Sequence, residues 1–147
     1  MRTMGQIVYV VDDEEIIAKS LAMILNREGF FASAFFDPRE ALSSAAKNAP
    51  PDLLISDIKM PGMNGIDLGI QFRRLYPDCK VLLFSGTANT PELLHNSRKD
   101  GFEFECLTKP VHPADLLAKI REALPKPRKE PLPELPADWL TRYRRRG

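Results

Sequence analysis

The chain has 147 residues, enough for one compact domain, and its 44% hydrophobic and 28% charged residues are an ordinary globular balance. No apolar run approaches the roughly 20 residues of a membrane span, and the opening run Ile7–Val11 is too short for a secretory core, so a cytoplasmic protein is expected. The formal net charge of +1 is unevenly placed: residues 125–147 carry seven Lys/Arg against three Asp/Glu, leaving a mildly acidic body with a basic tail.

Ile7-Val8-Tyr9-Val10-Val11 is a continuous, β-branched apolar run and reads as a strand covered on both faces. Ile17, Leu21, Ile24 and Leu25 then recur at helical spacing, and Gly29 ends that helix. Phe30 to Phe36 reads as the second strand. Asp37-Pro38-Arg39-Glu40 combines an N-cap, a proline at the first helical position and an early acid, and starts a helix that runs to about Asn48. Leu53-Leu54-Ile55 is the third strand, Met60 to Gly65 a loop, and Leu68, Phe72 and Leu75 a helical stripe.

Val81 to Phe84 is the fourth strand. Thr90-Pro91-Glu92 opens another helix that Gly101 closes, Phe102 to Leu107 is the fifth strand, and Pro113 opens a last helix with Leu116, Leu117, Ile120 and Leu124 apolar. Five βα units in a row define an α/β fold, a doubly wound parallel sheet with helices on both faces, over residues 1–124. From 125 to 147 the composition changes. Pro125, Pro127, Pro131, Pro133 and Pro136 mark an extended linker. Ala137–Arg146 has the pattern of a short helix that needs something to pack on, with Trp139, Leu140 and Tyr143 beside four arginines. That tail is expected to be solvated or to dock on its own body rather than to bind nucleic acid or an anionic membrane.

Cys79 and Cys106 are expected to be free thiols at opposite ends of neighbouring strands, and neither they nor His95 and His112 have zinc-ligand spacing. The chemistry lies elsewhere. In an open parallel sheet, ligands bind beyond the carboxyl ends of the strands. There the first strand is followed by Asp12 and Asp13, the third ends in Asp57, the fourth in Ser85-Gly86, and the fifth is followed by Lys109. Carboxylates gathered at one edge repel one another, by roughly 4 kcal/mol per pair at 4 Å and an effective dielectric near 20. A hard dication such as Mg²⁺ relieves that repulsion and leaves room for phosphate oxygens. An Asp beside Mg²⁺ and a lysine is a nucleophile suited to a phosphoryl group.

Val11-Asp12-Asp13-Glu14, Ile55-Ser56-Asp57 through Pro61 and Gly65, Phe84-Ser85-Gly86 and Leu107-Thr108-Lys109-Pro110 together resemble the motifs of response-regulator receiver domains of two-component signalling. The resemblance covers residues 7 to 124. It implies the CheY-like, flavodoxin-like (βα)5 fold with strand order 2-1-3-4-5 in three αβα layers. It implies Asp57 as phosphoacceptor, and Mg²⁺ held by Asp13, Asp57 and the Lys59 backbone carbonyl, with Asp12 acting through water. Ser85 and Lys109 would meet phosphoryl oxygens, and the Lys109–Pro110 bond would be cis. It also implies phosphorylation by a sensor histidine kinase or phosphotransfer protein. The signal would pass to a downstream protein through the face of the fourth helix, fifth strand and fifth helix, and a homodimer is compatible with this.

The chain departs from the family in carrying Cys106 where the switch aromatic usually stands and Val111 after Lys-Pro. No output domain is expected in the 23 residues after Leu124. A phosphohydrolase with an aspartyl-phosphate intermediate is the main alternative. Its second Asp would fall at position 59, where this chain has Lys59, so no turnover enzyme is expected. A nucleotide binder would need a Gly-rich first loop instead of Asp12-Asp13-Glu14-Glu15. Binding of partners without phosphorylation is the remaining reading.

Overall fold

The computed structural model describes residues 5–86 and 90–124. The linker and short helix expected for 125–147 lie outside the described residues. Five strands, β1 (Ile7–Val11), β2 (Phe31–Phe35), β3 (Leu53–Asp57), β4 (Lys80–Ser85) and β5 (Glu105–Thr108), alternate with helices α1 (Glu15–Arg27), α2 (Pro38–Lys47), α3 (Gly65–Leu75), α4 (Thr90–Lys99) and α5 (Pro113–Ala123). All strand pairs are parallel, and the order across the sheet is β2-β1-β3-β4-β5.

The three central strands are buried almost throughout, as their unbroken apolar sequence requires. Alternate residues feed two separate cores. Tyr9, Val11, Leu54, Val81 and Leu83 pack on one face with Ala41 and Ala45 of α2 and Leu68 and Phe72 of α3. Val8, Val10, Leu53, Ile55, Leu82 and Phe84 pack on the other with Ala18 and Leu25 of α1 and Leu116 and Ile120 of α5. The result is three layers, helix-sheet-helix.

Helix starts follow local chemistry. The Asp37 carboxylate accepts a bond from the Arg39 amide (2.9 Å) ahead of Pro38, the Asn64 side chain accepts from the Asp67 amide (2.8 Å), and His112 Nδ1 accepts from the Ala114 amide (3.1 Å). Gly29 and Gly101 follow α1 and α4 at φ +95° and +89°, the left-handed conformation that turns a chain off a helix end.

The fifth strand is shorter than its apolar run suggests. Pairing with β4 begins at Leu82↔Glu105, and Phe102 and Phe104 lie before it. Their rings stack on each other at 6.4 Å, with the Arg74 and Arg73 guanidinium groups of α3 over them at 5.3 and 4.7 Å. Their apolar surface thus serves helix packing instead of strand pairing. Cys79 precedes β4 and Cys106 sits opposite Leu83, four residues further along, which places them about 13 Å apart. Both are free thiols.

Candidate functional site at the carboxyl edge of the sheet

Register brings the expected residues together. Val11 lies opposite Ser56, Asp57 opposite Phe84, and Ser85 opposite Thr108. Asp12, Asp57, Ser85 and Lys109 therefore stand at the ends of four neighbouring strands. Asp12 is nearly inaccessible, at 2% exposure. Its amide donates to the Phe35 carbonyl (3.1 Å) and its Oδ1 accepts from the Glu14 amide (3.0 Å). An Asp at the start of α1 suggests a helix cap, but the N-cap residue is Glu14, without a side-chain bond. Asp12 instead folds the loop that leads into the helix and keeps Oδ2 turned to Lys109.

Lys109 Nζ lies 3.2 Å from Asp12 Oδ2 and 3.5 Å from Asp57 Oδ1. Asp57 Oδ1 also accepts from the Ile58 amide (3.1 Å). Ile58 N–H in turn donates to the Phe84 carbonyl (3.0 Å), and the Lys109 amide donates to the Ser85 carbonyl (2.8 Å). The loops after β3, β4 and β5 are thus tied by backbone hydrogen bonds. The Lys109–Pro110 bond is cis. Asp13 is exposed, yet one oxygen from each of Asp12, Asp13 and Asp57 fits within a 4.8 Å set.

Burial raises the Asp57 pKa, and the Asp12 charge adds to it against the opposing pull of Lys109. For Lys109, burial alone would lower the pKa. The hydrogen bond and charge of Asp12 and the charge of Asp57 outweigh it and hold the ammonium above its ordinary value. Three carboxylates and one ammonium leave the site two negative charges in excess. A hard dication balances that excess, and an all-oxygen donor set suits Mg²⁺ rather than a thiophilic metal.

Ser85 is buried, at 5% exposure, while Gly86 and Lys59 are exposed. Among the described residues, a Cβ built on Gly86 would meet the Lys109 side chain, at ordinary contact distance. The sequence places Gly65 at the end of a loop and within the third-strand motif, without indicating a structural role for it. It opens α3, its amide donates to the Ile58 carbonyl (2.8 Å), and a Cβ there would overlap the Asp57 carbonyl oxygen. Nothing in the local sequence distinguishes it from a turn glycine, because the constraint comes from the approach of α3 to the end of β3.

A five-stranded parallel sheet in the order β2-β1-β3-β4-β5, with three acids and a lysine at its carboxyl edge, places the chain in the CheY-like, flavodoxin-like fold class. The chain belongs to the response regulator receiver domain family, whose model matches residues 8–121. It is 30% identical over 131 residues to the DNA-binding response regulator MtrA of Mycolicibacterium smegmatis, covering 89% of this chain and 56% of that protein. The chain therefore spans about half the length of the curated relatives it matches. Among solved structures it is similar to a CheY-like receiver domain protein of Methanospirillum hungatei (TM-score 0.70, 32% identity, 80% of this chain and 92% of that one). It is also similar to the response regulator TrrA of Thermotoga maritima in complex with Mg²⁺-BeF (TM-score 0.69, 27% identity, 81% and 99%). Among the described residues, no helix is long and apolar enough to cross a membrane.

Proposed function

We propose that the chain is a phosphorylation-controlled signalling switch that accepts a phosphoryl group on Asp57 from a sensor histidine kinase or a phosphotransfer protein. One observation carries this reading: Asp57 Oδ1 lies 3.5 Å from Lys109 Nζ within an acidic set that fits a dication. The Mg²⁺-BeF bound by TrrA belongs to a relative of the same fold and supports the same assignment. Asp12, Asp13, Asp57 and the Lys59 backbone carbonyl would hold Mg²⁺. When bound, the ion neutralises charge on the phosphoryl oxygens.

The remaining chemistry belongs to the chain. A carboxylate oxygen of Asp57 attacks phosphorus, the bond from phosphorus to the donor histidine nitrogen breaks, and the imidazole leaves. Lys109 lies on the Asp57 carboxylate and can follow the charge onto a phosphoryl oxygen, and Ser85 supplies a hydroxyl to another. The chain catalyses only its own phosphorylation and the later hydrolysis of the acyl phosphate, not turnover of a substrate. Output runs through protein–protein contact on the α4-β5-α5 face, by a downstream partner or a second copy. Cys106 there is too small for a two-rotamer aromatic readout. The DNA binding named for MtrA describes a whole protein about twice the span matched here.

Incubation with acetyl phosphate and Mg²⁺ followed by intact mass tests the proposal. The expected gain is about 80 Da, one phosphoryl group, absent in Asp57→Asn and reduced without Mg²⁺. An unchanged mass in the wild type overturns it, as does sustained multi-turnover hydrolysis of simple phosphomonoesters.

A further inference from the structure

Helix α1 turns an unusual side outward. Ile16 is 81% exposed and Met23, two turns later, 56% exposed. Beside them, Lys19, Ala22, Met23, Asn26 and Arg27 of α1 and Ala34 of the edge strand β2 line a shallow groove of about 610 Å³. Apolar side chains on an exposed helix face next to a groove mark a surface that something covers.

Three facts point to the occupant. The described residues end at Leu124, just after α5, and the last turn of α5 is tied to the end of α1 by the ion pair Arg121–Glu28 (3.2 Å). The following segment therefore leaves beside the carboxyl end of α1. Second, α1 with 13 residues is about 20 Å long, a distance that about seven extended residues cover at ~3.1 Å each. The 23 residues from Pro125 to Gly147 reach any point of the groove with chain to spare. Third, the chemistries match. Residues 132–143 carry Leu132, Leu135, Trp139, Leu140 and Tyr143, followed by Arg144-Arg145-Arg146, while the amino end of α1 is entered through Asp12-Asp13-Glu14-Glu15. An apolar segment that carries Glu134 and Asp138 ahead of its basic end suits a mainly apolar groove flanked by Lys19 and Arg27 and acidic at its far end.

We propose that the segment 132–146 docks on the α1–β2 face of its own chain, with its apolar side chains against Ile16 and Met23 and its arginines toward Glu14 and Glu15. The docked segment shields α1 next to the acidic site, so any partner that uses this face must first displace it.

Trp139 is the only tryptophan of the chain and reports directly. In the full-length protein, acrylamide quenching of its fluorescence is expected to be at least about two-fold weaker than in urea, as for a ring in contact with apolar surface. Met23→Glu and Ile16→Glu remove apolar contacts at exposed positions, so the urea midpoint should hold while Trp139 quenching rises toward its unfolded value. A native Trp139 as accessible as in urea overturns the proposal. So does shielding that Met23→Glu and Ile16→Glu leave intact. Shielding lost on dilution also overturns it, because the segment would then dock on a second copy.

Discussion

The Lys109 ammonium is shared unequally by two acids: it lies closer to Asp12, at 3.2 Å, than to Asp57, at 3.5 Å. Asp12 is the more buried of the two carboxylates, with a side chain 3% exposed against 12%. The lysine thus compensates a charge that solvent hardly reaches, while keeping a second contact to the residue we assign as phosphoacceptor.

Lys109→Ala removes both contacts. In buffer with EDTA it should destabilise the fold by about 1–3 kcal/mol, the cost of leaving a buried charge without its partner. With acetyl phosphate and Mg²⁺ it should slow the mass gain at least about ten-fold, since a charge-assisted bond to the transferred group is lost. Urea unfolding and a mass time course measure the two effects; wild-type values in both would show that the ion pair is incidental.

Asp57→Asn should make the metal-free protein more stable at neutral pH. The folded-state pKa of Asp57 is raised above the ordinary 3.8, chiefly by burial. Its neutral form is therefore the better tolerated one. The associated stability is fully present below the unfolded pKa and is lost as pH rises through the folded pKa. The gap between Asn and wild type should open from about pH 4 upward and then level off. Mg²⁺ should close it by stabilising only the wild type. Urea midpoints across pH, with EDTA and with Mg²⁺, provide the check.

Gly65→Ala should cost about 2–3 kcal/mol, because the added methyl meets the Asp57 carbonyl, a backbone atom that cannot rotate away. Relief requires the end of β3 and the start of α3 to separate, which moves Asp57. Weaker stabilisation by Mg²⁺ should accompany the lower urea midpoint. Gly86→Ala, where the nearest atoms of the described residues are 3.9 Å away, should leave both unchanged.

The two thiols should resist labelling in the native state. Burial pushes the Cys79 thiol up to about 12 and also raises that of Cys106. At pH 8 the thiolate of Cys79 is on the order of 10³-fold scarcer than for an ordinary cysteine. Disulfide-exchange labelling should be slow until urea is added, with Cys106, the less buried residue, reacting first. Rapid labelling of Cys79 would contradict its place beneath α3.

Alternation of apolar runs and helical stripes was enough to read the βα repeat, because each central strand is buried on both faces and each helix on one. The acids and the lysine were legible for a related reason: strand ends in a parallel sheet share one edge, so chain position alone assembles them. Phe102 and Phe104 read as strand because apolarity is visible in sequence and its destination is not. Here the rings lie under Arg73 and Arg74. Gly65 was illegible in the same way, since its constraint is set by a helix that approaches the end of another element. Asp12 reads from the sequence as a metal-site acid, and its bond to the Glu14 amide shows that loop folding and charge display are done by one side chain.

The amide of Lys109 is bonded to the Ser85 carbonyl, while its ammonium reaches the acids that follow β1 and end β3. One residue therefore fastens the margin of the sheet to its middle. β5 is a border strand of four residues, the kind of element that peels open most readily. Each such peeling withdraws the positive charge from the centre, so chemical readiness at the middle falls as fluctuation of the margin rises.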